Sequence, residues 1–301
     1  MTKPNRVRHS SVAWAERHAQ FFFVGPAVLA MCGLIGFPLL YSVYMSLHKW
    51  SIVSTRPPVF TGLQNFVQAL SSIQFGEAVA RTLYYTALAV MLPTLLGLVS
   101  ALVFARRFLM RGVLRTIFVL PMMSTPVAMA LIWQMMFHPT LGVLNYLLSL
   151  VGLPPSLWIF SRRSVIPSLV LVETWHATPF MMLIILGGLA SLPVEPFEAA
   201  TVDGATETQR FWYLTLPLVW PYIMVAVLLR SIDALKAFDS IYVLTQGGPG
   251  NASETINIFL YLQAFAYYQI GYASAVVLLF FSLVTGVAVL LIGFRRGTSW
   301  R

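Results

Sequence analysis

Apolar residues run with little interruption through six stretches of the chain: 21–47, 82–105, 116–137, 165–190, 217–243 and 271–294. A helix crossing the hydrocarbon core of a bilayer needs about 20 mostly apolar residues, and each stretch is long enough. None alternates with the period of two that a barrel strand requires, and backbone groups in lipid must find partners within their own segment. The pattern predicts an all-α, polytopic membrane protein with six transmembrane helices. Polar segments separate the runs: 48–81, 138–164 and 244–270 on one side, 106–115 and 191–216 on the other.

The segment 191–216 is the most structured of these by its residues. Pro193 and Pro196 punctuate the exit from the fourth run, and proline suits a first helical turn. Glu195 and Glu198 then sit at the positive end of a short helix, and Gly204 fits a terminating residue with positive φ. A second helix from Ala205 would carry Phe211, Trp212 and Leu214 toward the membrane before Pro217 opens the fifth run. The expectation is a short helix at about 195–204, projecting from the membrane.

Composition reinforces the membrane reading. The chain is 58% hydrophobic and 10% charged, which is more apolar surface than a soluble domain of 301 residues can bury. Its formal charge of +9 is unevenly distributed. With a cytoplasmic N-terminus, twelve Lys and Arg lie on the inner side (Lys3, Arg6, Arg8, Arg17, Arg106, Arg107, Arg111, Arg115, Arg210, Arg295, Arg296, Arg301). Five lie outside: Lys49, Arg56, Arg81, Arg162 and Arg163. The asymmetry predicts both termini inside, a cytoplasmic segment 1–20, a membrane domain 21–294 and a tail 295–301. It accounts for the basic charge through topology and anionic lipid, with no nucleic acid needed. Cys32 is the only cysteine, so no internal disulfide or multi-cysteine metal site is expected. Trp14, Trp50, Trp158 and Trp220 near the run ends suit interfacial anchoring.

Glu198-Ala199-Ala200, three residues, Gly204, nine residues, then Leu214, one residue and Leu216-Pro217 form a spaced pattern dense enough to identify. It resembles the membrane subunits of binding-protein-dependent ABC importers of the carbohydrate-uptake group, which includes the maltose and glycerol-phosphate permeases. Leu214 stands where isoleucine is commoner. Gly62-Leu63-Gln64-Asn65-Phe66, the stretch Tyr242 to Gly250, and Gly271-Tyr272-Ala273-Ser274-Ala275 are similar to that group as well. The resemblance implies the type I importer permease fold in a bacterial cytoplasmic (inner) membrane. It makes 195–204 the coupling helix, with Glu198, Ala199, Ala200, Asp203, Gly204, Leu216 and Pro217 as its coupling residues. It further implies a second related permease subunit, two ATPase subunits that bind ATP and Mg, and an extracytoplasmic solute-binding protein. This chain has no Gly-rich run ending in Gly-Lys-Ser or Gly-Lys-Thr, so no cofactor is expected in it.

Charged and polar residues within the runs mark the other candidate site, because charge at membrane depth usually faces a cavity or a partner. Glu173 and His176 lie in the fourth run. Arg230, Asp233, Lys236 and Asp239 are spaced by three, as a stripe on one helix. Such a stripe either neutralises itself by local ion pairs or faces solute. By resemblance to the maltose-type permease, the solute positions are Met122 and Pro126, then Glu173, His176, Ala177 and Phe180, then Asp233, Ala234 and Ala237. Carboxylates accept paired hydroxyls and aromatic faces stack on sugar rings, which suits a sugar or polyol. Pro93, Pro121, Pro126 and Pro179 would bend their helices. The competing class is an ion-coupled secondary transporter relaying protons through Glu173, His176 and Asp233. An enzyme is disfavoured, since neither His-Glu-x-x-His nor Gly-x-Ser-x-Gly occurs.

Overall fold

The computed structural model of the protein describes residues 23–297, with side chains described as far as residue 293. The segment 1–20, with Lys3, Arg6, Arg8, Arg17 and Trp14, lies outside the described residues, as do Arg301 and the side chains of Arg295 and Arg296. The chain order is α1 (Phe23–Ser46), β1 (His48–Lys49), β2 (Val59–Phe60), α2 (Gln64–Ser71), α3 (Ile73–Ala105), α4 (Arg111–Met123), α5 (Pro126–Met136) and α6 (Val143–Leu150). It continues with α7 (Val165–Ala190), α8 (Glu195–Val202), α9 (Glu207–Leu235), α10 (Asp239–Thr245), α11 (Ile256–Ala266) and α12 (Ile270–Gly297). The two short strands pair antiparallel, His48 opposite Phe60 and Lys49 opposite Val59. Among the described residues, α1, α3, α7, α9 and α12 are each long and apolar enough to cross a membrane. The pair α4 and α5 makes a sixth span if counted as one.

That third span is broken by 97° rather than gently bent. Pro126 explains it. Pro126 occupies the first position of α5, and the residue before a proline is pushed out of the helical region. Ser124 and Thr125 are accordingly extended, both with ψ 143°. The Thr125 hydroxyl then caps α5 by accepting from the Ala128 amide at 3.4 Å.

Two other spans differ from their apolar runs for local reasons. α3 starts at Ile73, well before 82, because the Ser72 hydroxyl accepts from the Phe75 amide and the first turns bury Phe75 and Ala78. α9 starts at Glu207 and passes through Pro217 without a break. A π-turn at Phe211–Thr215 precedes the proline and makes room for its ring. The same helix stops at Leu235, where Asn257 donates from Nδ2 to the carbonyls of Leu235 (3.0 Å) and Ala237 (3.3 Å). Arg230, Asp233, Lys236 and Asp239 therefore do not share one helix: Lys236 ends α9 and Asp239 begins α10.

The densest packing lies between α3 and α7, with α9 against both. Gly97 lets α3 approach α7, since a Cβ there would stand 2.6 Å from Met181 Cβ. Gly188 does the same for α7 and α9, where a Cβ would stand 2.6 Å from Tyr222 Cγ. Outside the spans, single asparagines organise the loops. Asn65 donates from Nδ2 to Ser46 O (2.7 Å) and His48 O (3.0 Å), fastening α2 to the end of α1. Asn145 donates to Pro139 O and Ser156 O and accepts from the Ser156 amide and from Trp158 Nε1. Trp158 is thus hydrogen-bonded into its loop. Glu254 is buried at the start of α11, accepting from Gln74 Nε2 at 3.0 Å, and burial raises its pKa.

Gly97→Val should overpack the α3–α7 contact and destabilise the folded protein by about 1–3 kcal/mol. Gly187→Ala, where a Cβ meets nothing within 4 Å, should not. Thermal unfolding of the detergent-purified variants checks this: a melting temperature for Gly97→Val equal to that of Gly187→Ala would contradict the close contact.

Candidate functional site

Three polar side chains meet inside the apolar packing of α3, α7 and α9. Arg230 on α9 donates from Nη2 to Glu173 Oε1 on α7 at 2.5 Å, and from Nε to the Ala89 carbonyl on α3 at 3.1 Å. Tyr85 on α3 donates its hydroxyl to Glu173 Oε2 at 3.3 Å. The Arg230 and Glu173 side chains are 8% and 9% exposed, so the pair is removed from solvent. Each Glu173 oxygen has a donor, and Arg230 is fixed to two helices at once.

This arrangement assigns the charges seen in the sequence. Arg230 pairs with Glu173 instead of with a neighbour on its own helix. Asp233 pairs with Lys236 at 3.8 Å, with side chains 59% and 57% exposed. Ala177 and Ala234 are buried, and Ala237 packs beside the core cluster that contains Ala234. Met122, His176 and Phe180 are half-buried, while Pro126 and Asp233 are exposed. Of the candidate solute positions, Met122, Pro126, His176, Phe180, Asp233 and Ala237 keep accessible surface; Glu173 is committed to Arg230 and Tyr85. His176 Nε2 is buried and has no hydrogen-bond partner. The Tyr85 contribution was not read from the sequence, although a tyrosine in the first turn of an apolar run is a visible signal.

A cavity of about 960 Å³ opens beside α3, α4, α5 and α7, lined by Leu92, Leu96, Phe118, Trp133, Trp175 and Pro179 among others. Among the described residues, Thr174 and Thr178 are its only hydroxyl-bearing walls. Neither Asp233 nor His176 lines it.

The second region is α8 and its exit. No residue of α8 is buried, and Val202 is 88% exposed. Its end is nonetheless tightly built. Gly204, at φ +73°, donates to Thr201 O at 3.1 Å, and Ala205 donates to Ala200 O at 2.9 Å, the paired pattern of a helix closed by a left-handed glycine. Thr206 then caps α9: its hydroxyl accepts from the Gln209 amide, and its own amide donates to Gln209 Oε1 at 2.8 Å. Arg210 Nη1 donates back to Thr201 Oγ1 at 3.2 Å. Glu198, Ala199, Asp203 and Gly204 are exposed and Ala200 half-exposed, whereas Leu216 and Pro217 are half-buried within α9. α8 is an outward-standing knob joined rigidly to a spanning helix.

Removing either member of the buried pair leaves the other charge without a partner, at a cost of about 3–5 kcal/mol. Glu173→Leu and Arg230→Met should each lower the melting temperature sharply. The double variant should lose less than the two single losses combined. A double-mutant cycle in which the losses add would show that the two residues are not coupled.

Residues 94–297 match the family described as binding-protein-dependent transport system inner membrane component. A probable ABC transporter permease protein of Sinorhizobium fredii is 38% identical over 296 residues, covering 98% of this chain and 93% of its own. The trehalose/maltose transport system permease protein MalF of Thermococcus litoralis is 35% identical over 290 residues, 95% of this chain and 97% of that one. The sulfoquinovosyl glycerol transport system permease protein SmoG of Agrobacterium fabrum is 32% identical, covering 89% and 87%. In fold, the chain superposes with a TM-score of 0.82 on a chain of a bacterial ABC transporter that imports the acidic polysaccharide alginate, at 21% identity and covering 95% and 98% of the two chains. The chain belongs to the family of multi-pass inner-membrane permease components of binding-protein-dependent ABC importers.

Proposed function

We propose that this permease forms half of the pathway of an ATP-driven importer for a sugar or polyol, and that α8 is the element through which ATP hydrolysis drives it. The observation that carries this reading is α8 itself. A helix of 8 residues with none fully buried gains little from its own chain's core, and so short a helix is marginal alone. The chain holds its shape with a glycine closure, a capping box and the Arg210–Thr201 bond. Such investment in an unburied element suits insertion into a cleft on another protein.

The proposed partners are two ATPase subunits binding ATP and Mg, a second related permease subunit and an extracytoplasmic solute-binding protein. The alginate transporter, a neighbour in fold, is known in complex with an alginate pentasaccharide-bound periplasmic protein. Both termini and α8 lie on the cytoplasmic side in this reading, in accord with the distribution of Lys and Arg. The mechanical route is short. Displacement of α8 acts on α9 through the rigid Gly204–Thr206 junction, and α9 runs on unbroken to Arg230, which grips α7 at Glu173 and α3 at Ala89. Closure of the ATPases would therefore move three spanning helices as one unit.

Relatives named for trehalose, maltose and sulfoquinovosyl glycerol support a glycan or glycoside as solute. Asp233 supplies a carboxylate for paired hydroxyls, Phe180 a ring face, and His176 Nε2 an unpartnered polar atom. A proton relay through Glu173 is disfavoured by its ion pair with Arg230.

In vesicles holding the assembled importer, uptake should require ATP and the ATPase subunits and survive an uncoupler. Uptake that continues without the ATPase but collapses with the uncoupler would reverse the assignment. Gly204→Val forces a β-branched residue into φ +73° with no steric contact to relieve or worsen it. It should leave membrane insertion intact and reduce transport per ATP several-fold; wild-type coupling would argue against α8. Asp233→Ala should raise the solute concentration needed for half-maximal uptake, with ATPase-subunit binding unchanged.

A further inference from the structure

At the Gly204 side of the molecule, α3 ends in a groove that the transport reading does not use. It has a volume of about 480 Å³ and is lined, among the described residues, by Val99, Leu102, Val103, Arg106, Arg107 and Phe108. Val99, Leu102, Val103 and Arg106 fall at intervals of three and four, hence on one face of the helix and its cap, and Arg107 follows where the chain turns extended. The wall changes character along that face. Its deeper part is aliphatic, with Val99 and Val103 more than half exposed at 58% and 52%. Its rim carries two guanidinium groups where the span stops at Ala105 and Arg106 turns extended, with ψ 152°. No carboxylate lines it.

An aliphatic groove inside the span level, closed by two cations at its edge, matches a phospholipid in both halves. An acyl chain would lie along Val99 and Val103, and a phosphodiester would meet the planar donors of Arg106 and Arg107. Two cations against the single carboxylate of Glu207, which pairs with Arg106, leave a net positive charge that favours a headgroup with net negative charge over a zwitterionic one. We propose that the α3 end is a binding site for an anionic phospholipid of the bilayer leaflet that faces it. The site stands whichever leaflet that is, and whether or not α8 couples to an ATPase.

One further contact defines its behaviour. Arg106 Nη2 lies 3.4 Å from Glu207 Oε2, with both side chains more than three-quarters exposed at 77% and 76%. The lipid phosphate and Glu207 therefore compete for one guanidinium. Glu207 is the first residue of α9, three positions beyond Gly204, so occupancy of the groove reaches the base of the knob.

Native mass spectrometry of the permease complex from nanodiscs of equimolar phosphatidylglycerol and phosphatidylcholine tests the site. The wild type should retain phosphatidylglycerol in preference, and Arg106→Gln with Arg107→Gln should lower that preference by about fivefold per arginine removed. Glu207→Gln leaves the Thr206–Gln209 cap intact and frees Arg106, so it should raise retention. Equal retention in the arginine variant and the wild type would overturn the proposal. So would displacement of the lipid by millimolar glycerol phosphate, which would make the groove a soluble-phosphate site. Quantitative cross-linking of Val103→Cys to another protein subunit would overturn it as well, because the groove would then be covered by protein.

Discussion

A charge buried among membrane helices must be matched, and in this chain that requirement is met by Glu173 and Arg230. Isolated ions at membrane depth are costly. The solution draws in one helix apiece: α7 supplies the carboxylate, α9 the guanidinium, and α3 both the Tyr85 hydroxyl and the Ala89 carbonyl. Apolar contacts between spanning helices do little to fix register, because lipid tails are as apolar as leucine. The pair and its two supporting groups are directional. They set how far along each other the three helices lie, and they do so near the centre of the packed unit.

Once that register is fixed, small residues determine separation. Gly97 faces Met181 and Gly188 faces Tyr222 at distances no side chain would permit, so the backbones approach closely. The tightly packed unit of α3, α7 and α9 contrasts with α8, which has no buried residue. The two are linked by Gly204, Thr206 and Arg210 without a flexible joint. A rigid core with an unburied, rigidly mounted helix is a lever with a free end, whose natural use is contact with another subunit.

Much of this was legible in the sequence, and the failures have physical causes. The six runs, the short helix near 195–204 and the positive φ of Gly204 follow from hydropathy, proline position and glycine's freedom, all of which act locally. The ends of the spans did not follow. Hydropathy marks where a segment is apolar, not where it stops being helical. α3 begins early because Ser72 caps it, and α9 ends early because Asn257, twenty-two positions after Leu235, takes its last carbonyls. The polar stripe on the fifth run held only for Asp233 and Lys236, which pair at 3.8 Å. Spacing of three suggests pairing within a helix, yet Arg230 found a stronger partner on α7 at a separation of 57 residues. Pairings of that range leave no periodic trace in a single sequence.

The filled centre also constrains where a solute can pass. A route through the middle of this chain would have to part Glu173 from Arg230 and unpack Ala177 and Ala234 beside them. The large cavity against α3, α4, α5 and α7 is no substitute. Its walls are leucine, proline and aromatic carbon, with two threonine hydroxyls to replace the many hydrogen bonds a sugar loses on leaving water. Accessible charged atoms lie elsewhere, at Asp233 and Lys236. A hydrophilic path built from these must therefore run along the surface of the chain, and a path along a surface needs a second wall. The proposed second permease subunit would supply one.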